Sequence, residues 1–233
     1  MGDSTIPKLI HFCWFGGAEK PEIVKKCMRT WAANFPDYEI LEWSEENFDF
    51  GLSLYVREAF SQKKWAFVSD YVRLYALYNH GGVYVDADVE VLRGFDDFLC
   101  LSAFTGFEDY NGALSPVTAV MGAVPRHPWI KRLLDYYDDK CFVSDNLFGA
   151  VDLTPNTKVI SHIMIEEYGV QMSDRKQVLK DGVHLFPSTT FCNYSEGSFS
   201  VHHFNGSWVP LHLKIKSYSK KILRSVFYGL FGR

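Results

Sequence analysis

The chain has 233 residues, 47% of them hydrophobic and 16% aromatic, enough to bury a large core, and that composition speaks against a disordered chain. Its length suits one generous domain or two small ones, and a formal net charge of −4 argues against nucleic acid as a partner. Cys13, Cys27, Cys100, Cys141 and Cys192 are scattered, odd in number and without metal-type spacing, which fits a reducing cytosol better than a disulfide scaffold.

The opening residues 1–7 are polar and short, so no secretory leader is expected, and Ile6 breaks the myristoylation pattern. Residues 9–15 read as a first strand ending at Gly16-Gly17. Pro21 suits the first turn of a helix whose Ile23, Cys27, Thr30 and Trp31 share a face. A second strand is expected over 38–43, a helix over 54–61 and a stronger helix over 66–79. In that second helix Phe67, Tyr71, Leu74 and Tyr78 form an apolar stripe, and Gly81 is placed to cap its end. Residues 83–85 then read as a buried strand that delivers Asp86 and Asp88 to its far end.

Beyond this point the pattern loosens. Residues 119–123 and 183–186 read as strands, 129–137 and 158–168 as helices, and 201–208 as a strand running into a polar turn. Strands alternating with helices imply an α/β fold with a mainly parallel central sheet flanked by helices. No apolar run is long enough to cross a bilayer. No Asp or Glu follows Glu196, whereas Lys214, Lys216, Lys220, Lys221, Arg224 and Arg233 do. As a helix, the tail puts Ile215, Tyr218, Ile222, Leu223, Val226, Phe227 and Leu230 on one face, with most of the basic residues opposite. A basic amphipathic helix of this kind suits an anionic membrane surface or packing on the domain. The expected division is a catalytic body over 1–212 and a basic tail over 213–233, cytoplasmic and peripheral on the inner membrane face.

Four groups of residues carry chemistry. Asp86 and Asp88 follow a buried strand, where open α/β sheets bind ligands, and two carboxylates there can hold a hard divalent cation. Asp70 and Arg73 share a helical face opposite the apolar stripe, either as an exposed ion pair or as a grip on sugar or phosphate oxygens. Trp14 ends the first strand beside a glycine turn, placed for the core or for stacking on a nucleobase. His202 and His203 point opposite ways on a strand, so one at most faces a site, and Ser207 and Trp208 beyond them can donate to phosphate.

Residues 6–17, the stretch 66–78 and the run from Gly81 to Asp88 together resemble the signature of the Asp-x-Asp "sugar-binding region" glycosyltransferases, and His203 to Trp208 is similar to that family's ending. That family includes bacterial capsular-polysaccharide transferases and fungal Golgi α-mannosyltransferases, with the large glucosylating toxins as distant kin. The resemblance implies a GT-A, Rossmann-like fold and a retaining transferase that moves a hexose from a nucleotide sugar to a saccharide acceptor in capsular, exo- or lipopolysaccharide synthesis. The acceptor can be lipid-linked; UDP-sugars are favoured as donor, with GDP-mannose second. It implies catalytic roles for Asp86, Asp88 and Arg73, and donor contacts from Trp14, Asp70, Arg73, Asp86, Ser207 and Trp208. It also implies Mn²⁺, with Mg²⁺ as substitute, on Asp88 and His203. Glu108, Asp109 and Asp145 are the candidate nucleophiles, and front-face attack without one is favoured. Two other classes are a non-catalytic sugar-nucleotide binder and a haloacid-dehalogenase-type phosphatase with Asp86 as nucleophile.

Overall fold

The computed structural model of the protein describes residues 5–144 and 151–204. Asp145, Ser207, Trp208 and the tail expected over 213–233 lie outside the described residues. The described residues fall almost entirely within one compact unit, Met1–His203.

In chain order the elements are β1 (Leu9–Cys13), α1 (Glu22–Asn34), β2 (Glu39–Trp43), α2 (Leu54–Ser61), α3 (Trp65–His80), β3 (Gly82–Val85), β4 (Val89–Val91), β5 (Ala103–Tyr110), β6 (Ala113–Ala123), α4 (Pro128–Asp135), α5 (Asn156–Glu166), β7 (Gln177–Val178), β8 (Val183–Phe186), α6 (Ser188–Phe191) and β9 (Ser200–His202). Seven strands form one sheet in the order β2-β1-β3-β6-β5-β8-β7, while β4 and β9 make a separate two-stranded ribbon. β1 is parallel to β2 and β3, and β5 to β8; only β6 and β7 run against their neighbours, so five of the seven strands share a direction. The expected α/β architecture with helices flanking a central sheet is therefore present.

Alternate residues of one strand feed different cores, as the pleat requires. Val83 and Val85 enter a cluster with Phe12, Trp31 and Phe95. Tyr84 enters the other, with Tyr71, Leu74, Trp129 and Ile160. α3 is buried over much of its circumference, including Val68, Val72, Ala76 and Leu77 outside the expected stripe. It ends where expected, with the Gly81 N–H donating to Leu77 C=O at 2.9 Å. Gly81 has φ +66° and a Cβ there would lie 2.6 Å from Pro125, so both conformation and space exclude a side chain.

The strand read over 83–85 is present, with the two carboxylates beyond its end, and a further short strand that the sequence reading did not separate follows them. β3 stops at Val85, the chain turns through Asp86, Ala87 and Asp88, and β4 leaves the main sheet to pair with β9. α1 enforces the break: Trp31 Nε1–H donates to Val89 C=O (2.8 Å), Asn34 Nδ2 to Val91 C=O (3.1 Å), and Val91 N–H donates to Thr30 Oγ1 (3.0 Å). Bonds that would otherwise continue the main ladder are satisfied by a helix.

His11 joins three elements at the centre of this arrangement. Trp43 Nε1–H donates to its Nδ1 at 3.2 Å, so the ring carries its proton on Nε2, 2.8 Å from Gly81 C=O. Fully buried, it has its pKa lowered to about 4, first by burial and further by His80, against the raising effect of the Gly81 bond. Between pH 6.5 and about 4 the unfolded chain therefore binds a proton that the folded chain refuses. The stability held by neutral His11 is complete above pH 6.5 and lost as pH falls toward 4, about 3 kcal/mol in all. Urea unfolding of wild type and His11→Gln should show a stability difference that shrinks by about that amount from pH 7 to pH 4; a constant difference would refute the assignment.

Candidate active site

β1 and β3 are parallel neighbours in the register Ile10↔Val83 and His11↔Tyr84, so Trp14 and Asp86 leave the sheet at the same edge. Trp14 is half-buried just past β1; its indole N–H donates to Ala18 C=O at 2.7 Å and Lys20 Nζ lies 5.7 Å from the ring centre. Gly16 follows with φ +92°, and a Cβ there would strike the Trp65 ring at 2.5 Å.

The helix residues facing this edge are not on a solvated face, as one reading of their spacing had it. The Arg73 and Asp70 side chains are only 8% and 14% exposed. Arg73 Nη2 donates to Asp70 Oδ1 at 2.9 Å, and Nη1 lies 3.3 Å from Asp86 Oδ1. The guanidinium stacks 4.7 Å from the Tyr84 ring centre, and Tyr84 O–H donates to the same Asp86 oxygen at 2.9 Å. Burial disfavours the Arg73 charge, but Asp86 and Asp70 outweigh it and hold the guanidinium protonated. Burial pushes Asp70 up to about 6 and raises Asp86 as well, with Arg73 opposing both. Asp86, the nucleophile of the phosphatase reading, thus has one oxygen engaged by two donors.

The turn after β3 carries Asp88 to a second cluster. His202 Nε2 is 3.3 Å from Asp88 Oδ1, and its Nδ1 is 3.2 Å from Glu108 Oε1. Burial opposes a charged imidazole, yet bonds to Asp88, Cys192 and Glu108 together raise its pKa well above the ordinary value. His203, the expected metal ligand, points the other way: its Nε2–H donates to Glu90 Oε2 at 2.7 Å, an oxygen also 2.9 Å from Lys26 Nζ. Only the His203 backbone reaches the site, its N–H donating to Asp88 C=O at 3.1 Å. Of the two histidines whose order the sequence left open, His202 is the ring beside Asp88.

Glu108 and Asp109, the described candidate nucleophiles, are both engaged. Glu108 also accepts from Ala119 N–H at 3.3 Å, and Asp109 Oδ1 accepts from Gly112 N–H at 2.7 Å in the β5–β6 turn. Sequence reasoning missed Asn156, the first residue of α5. It is 5% exposed, and neither side-chain amide atom has a hydrogen-bond partner among the described residues. It stands close enough to Asp70 to favour the ionised carboxylate. The signal was the Pro155-Asn156 helix start, two residues before the expected one.

Asp86 senses the charges of both Asp88 and Glu108, so three carboxylates converge here with one imidazole. Such an oxygen-rich set fits a hard divalent cation. Among the described residues no three His, Cys, Asp or Glu side chains form a ready cage, so an ion on Asp88 would take further oxygens from its ligand.

Removing Arg73 would leave two buried carboxylates facing each other. Arg73→Met should lower the unfolding free energy by about 3–5 kcal/mol at pH 7. The loss should narrow below pH 6, where Asp70 takes up a proton; an unchanged urea midpoint would show that the pair carries no buried charge.

Residues 21–105 match the model of the family described as "Glycosyltransferase sugar-binding region containing DXD motif". Inositol phosphoceramide mannosyltransferase 2 of Schizosaccharomyces pombe is 25% identical over 229 residues, 91% of this chain and 64% of that protein. Mannosyl phosphorylinositol ceramide synthase SUR1 of Saccharomyces cerevisiae is 31% identical over 145 residues, 59% of this chain and 37% of that protein. The chain thus spans less than two thirds of either relative. Among solved structures, a PaToxG glycosyltransferase superposes with a TM-score of 0.49 at 20% identity over 70% of each chain. The matched segment runs from α1 through α3 and the Asp86–Asp88 turn into β5 and contains Asp70, Arg73, Asp86 and Asp88; it is in this segment that the chain is similar to the DXD-containing sugar-binding-region glycosyltransferases.

Proposed function

We propose that the chain transfers a hexose, with mannose the first candidate, from a nucleotide sugar to a saccharide or a sugar-bearing lipid headgroup, with retention at the anomeric carbon. One observation carries this reading: the family segment supplies Asp70, Arg73, Asp86 and Asp88, and the fold gathers them at the carboxyl ends of β1 and β3, where sheets of this class bind ligands. Mannose comes from the names of the two yeast relatives, so GDP-mannose precedes the UDP-hexoses as donor. The same names add an inositol-phosphate lipid to the polysaccharide acceptors, and the basic sequence after Leu213 supports an acceptor at an anionic membrane surface.

Each residue has a role that follows from its surroundings. Trp14 offers a ring at the strand end for the nucleobase. Asp70 and the amide of Asn156 accept from and donate to hydroxyls of the donor sugar. Arg73 keeps Asp86 oriented and offsets its charge. Asp88, steadied by His202, would hold Mn²⁺ or Mg²⁺, and the geometry supports His202 over His203 as the histidine on that side. When bound, such an ion supplies Lewis acidity to the departing diphosphate. Ser207 and Trp208, read from the sequence alone, would donate to the same diphosphate. Because Glu108 and Asp109 are both occupied by N–H donors, front-face attack by the acceptor is favoured over a covalent intermediate.

The test is release of nucleotide from a panel led by GDP-mannose, with and without Mn²⁺. Metal-dependent release that falls at least about a hundredfold in Asp88→Asn is expected. Release that survives chelation, or an Asp88→Asn variant with full metal dependence, would remove the assignment. Trp14→Ala should weaken donor binding about tenfold or more by calorimetry; unchanged affinity would end the stacking role.

A further inference from the structure

Two tyrosines border this site, and neither has a role in the chemistry above. Tyr194 is 76% exposed and Tyr110 48%. A solitary exposed aromatic needs no explanation, but these two are fastened together. Asn193 Nδ2 donates to Asp109 C=O at 3.0 Å, and Asp109 N–H donates to Asn193 Oδ1 at 3.3 Å. The residues immediately before the two tyrosines are thereby locked in a reciprocal amide pair.

Strand register and chain path bring both tyrosines beside the site. β5 pairs with β6 without interruption from Gly106 to Tyr110, so Glu108 and Tyr110 project from the same face, roughly 7 Å apart along the strand. The Glu108 carboxylate holds His202, whose other nitrogen faces Asp88. Tyr194 follows the same cluster along the chain: His202 N–H donates to Cys192 C=O at 2.9 Å, two residues before it. The strand end itself is rigid. Asn111 and Gly112 form a two-residue turn with φ of +56° and +82°, and Gly112 N–H is tied to Asp109 Oδ1 at 2.7 Å.

We propose that Tyr110 and Tyr194 form the acceptor subsite, presenting aromatic faces to the C–H face of a six-membered polyol ring, a pyranose or a cyclitol. A tyrosine suits this task because it offers a large, stiff, amphipathic surface at low entropy cost, with a hydroxyl for a ring hydroxyl. The inference deepens the transfer reading and rests on it. The donor contacts Asp70, Arg73 and Asp86 are held together by α3 and β3, whereas the tyrosines follow Glu108 and Cys192, two residues bonded to His202. An acceptor ring held there would approach the donor sugar across Asp88.

The experiment is saturation-transfer-difference NMR on the full chain with diamagnetic Mg²⁺ and GDP, using methyl α-mannopyranoside, methyl β-galactopyranoside and myo-inositol as probes. Wild type should transfer saturation to the ring C–H protons of at least one probe. Tyr194→Ala and Tyr110→Ala should each reduce that signal about fivefold, within what one aromatic contact supplies, while Tyr194→Phe keeps it. A thermal shift with GDP, retained in every variant, shows that the fold persists. Absence of signal from all three probes in wild type, or equal signals in wild type and both alanine variants, overturns the subsite. The two readings fail separately. Donor cleavage with tyrosine-independent probe contact sinks only the subsite; tyrosine-dependent contact without cleavage of any nucleotide sugar sinks the transfer reading.

Discussion

The site is organised around the guanidinium of Arg73. It lies within a helix buried on most sides, bonded to Asp70 from its own helix, 3.3 Å from Asp86 on the strand that follows, and stacked on Tyr84 from that strand. Burial works against each of these charges, and the opposite charges beside them offset that cost. Together they fix the helix, the strand and the turn that carries Asp88. A lysine could not replace this fork, since a single ammonium cannot present separate nitrogens to two carboxylates in fixed directions. The same contacts therefore hold the fold together at the sheet edge and set the orientation of the groups that would meet a donor.

The first ninety residues were legible because local signals and tertiary structure agree there. α2 spans 54–61 as expected, the Gly81 cap sits where a helix end needs it, and β1 and β2 match their apolar runs. What was not read begins where a long-range contact decides. No local pattern in 89–91 marks β4 as a strand of its own, because its place comes from Trp31 and Asn34 bonding to it. Asp70 and Arg73 looked like a solvated pair because i,i+3 spacing reports a shared face and not what packs on it; α4 and α5 contribute to the core around α3. One signal was local and was passed over. Asn111-Gly112 is a strong hairpin dipeptide, and it joins β5 to β6, the longest pairing in the sheet. Recognising it would have placed Glu108 and Tyr110 on one face of one strand.

The two-stranded ribbon explains why His202 and not His203 meets Asp88. β4 and β9 pair antiparallel in the register Val89↔His202, so consecutive residues of β9 face opposite sides. Glu90 on β4, with Lys26 of α1, gives His203 a charged partner on one side; Asp88 and Glu108 take His202 on the other. The order of the two histidines is thus set by pairing across more than a hundred residues of sequence, which their spacing alone could not show.

Charge balance gives the arrangement its chemical direction. The described site holds four carboxylates, Asp70, Asp86, Asp88 and Glu108, against two cationic groups, Arg73 and His202. At neutral pH it is therefore negative even with Asp70 titrating near 6. A nucleotide diphosphate brought to such a surface is repelled by it, and Arg73 is already committed to Asp70 and Asp86. A divalent cation, if held by Asp88, would offset that repulsion. On this argument the case for a metal would rest on the surplus of buried carboxylate and not on the Asp-x-Asp spacing alone. A chain that had kept Asp86 and Asp88 but gained a second unshared arginine beside them would have a much weaker reason to bind one.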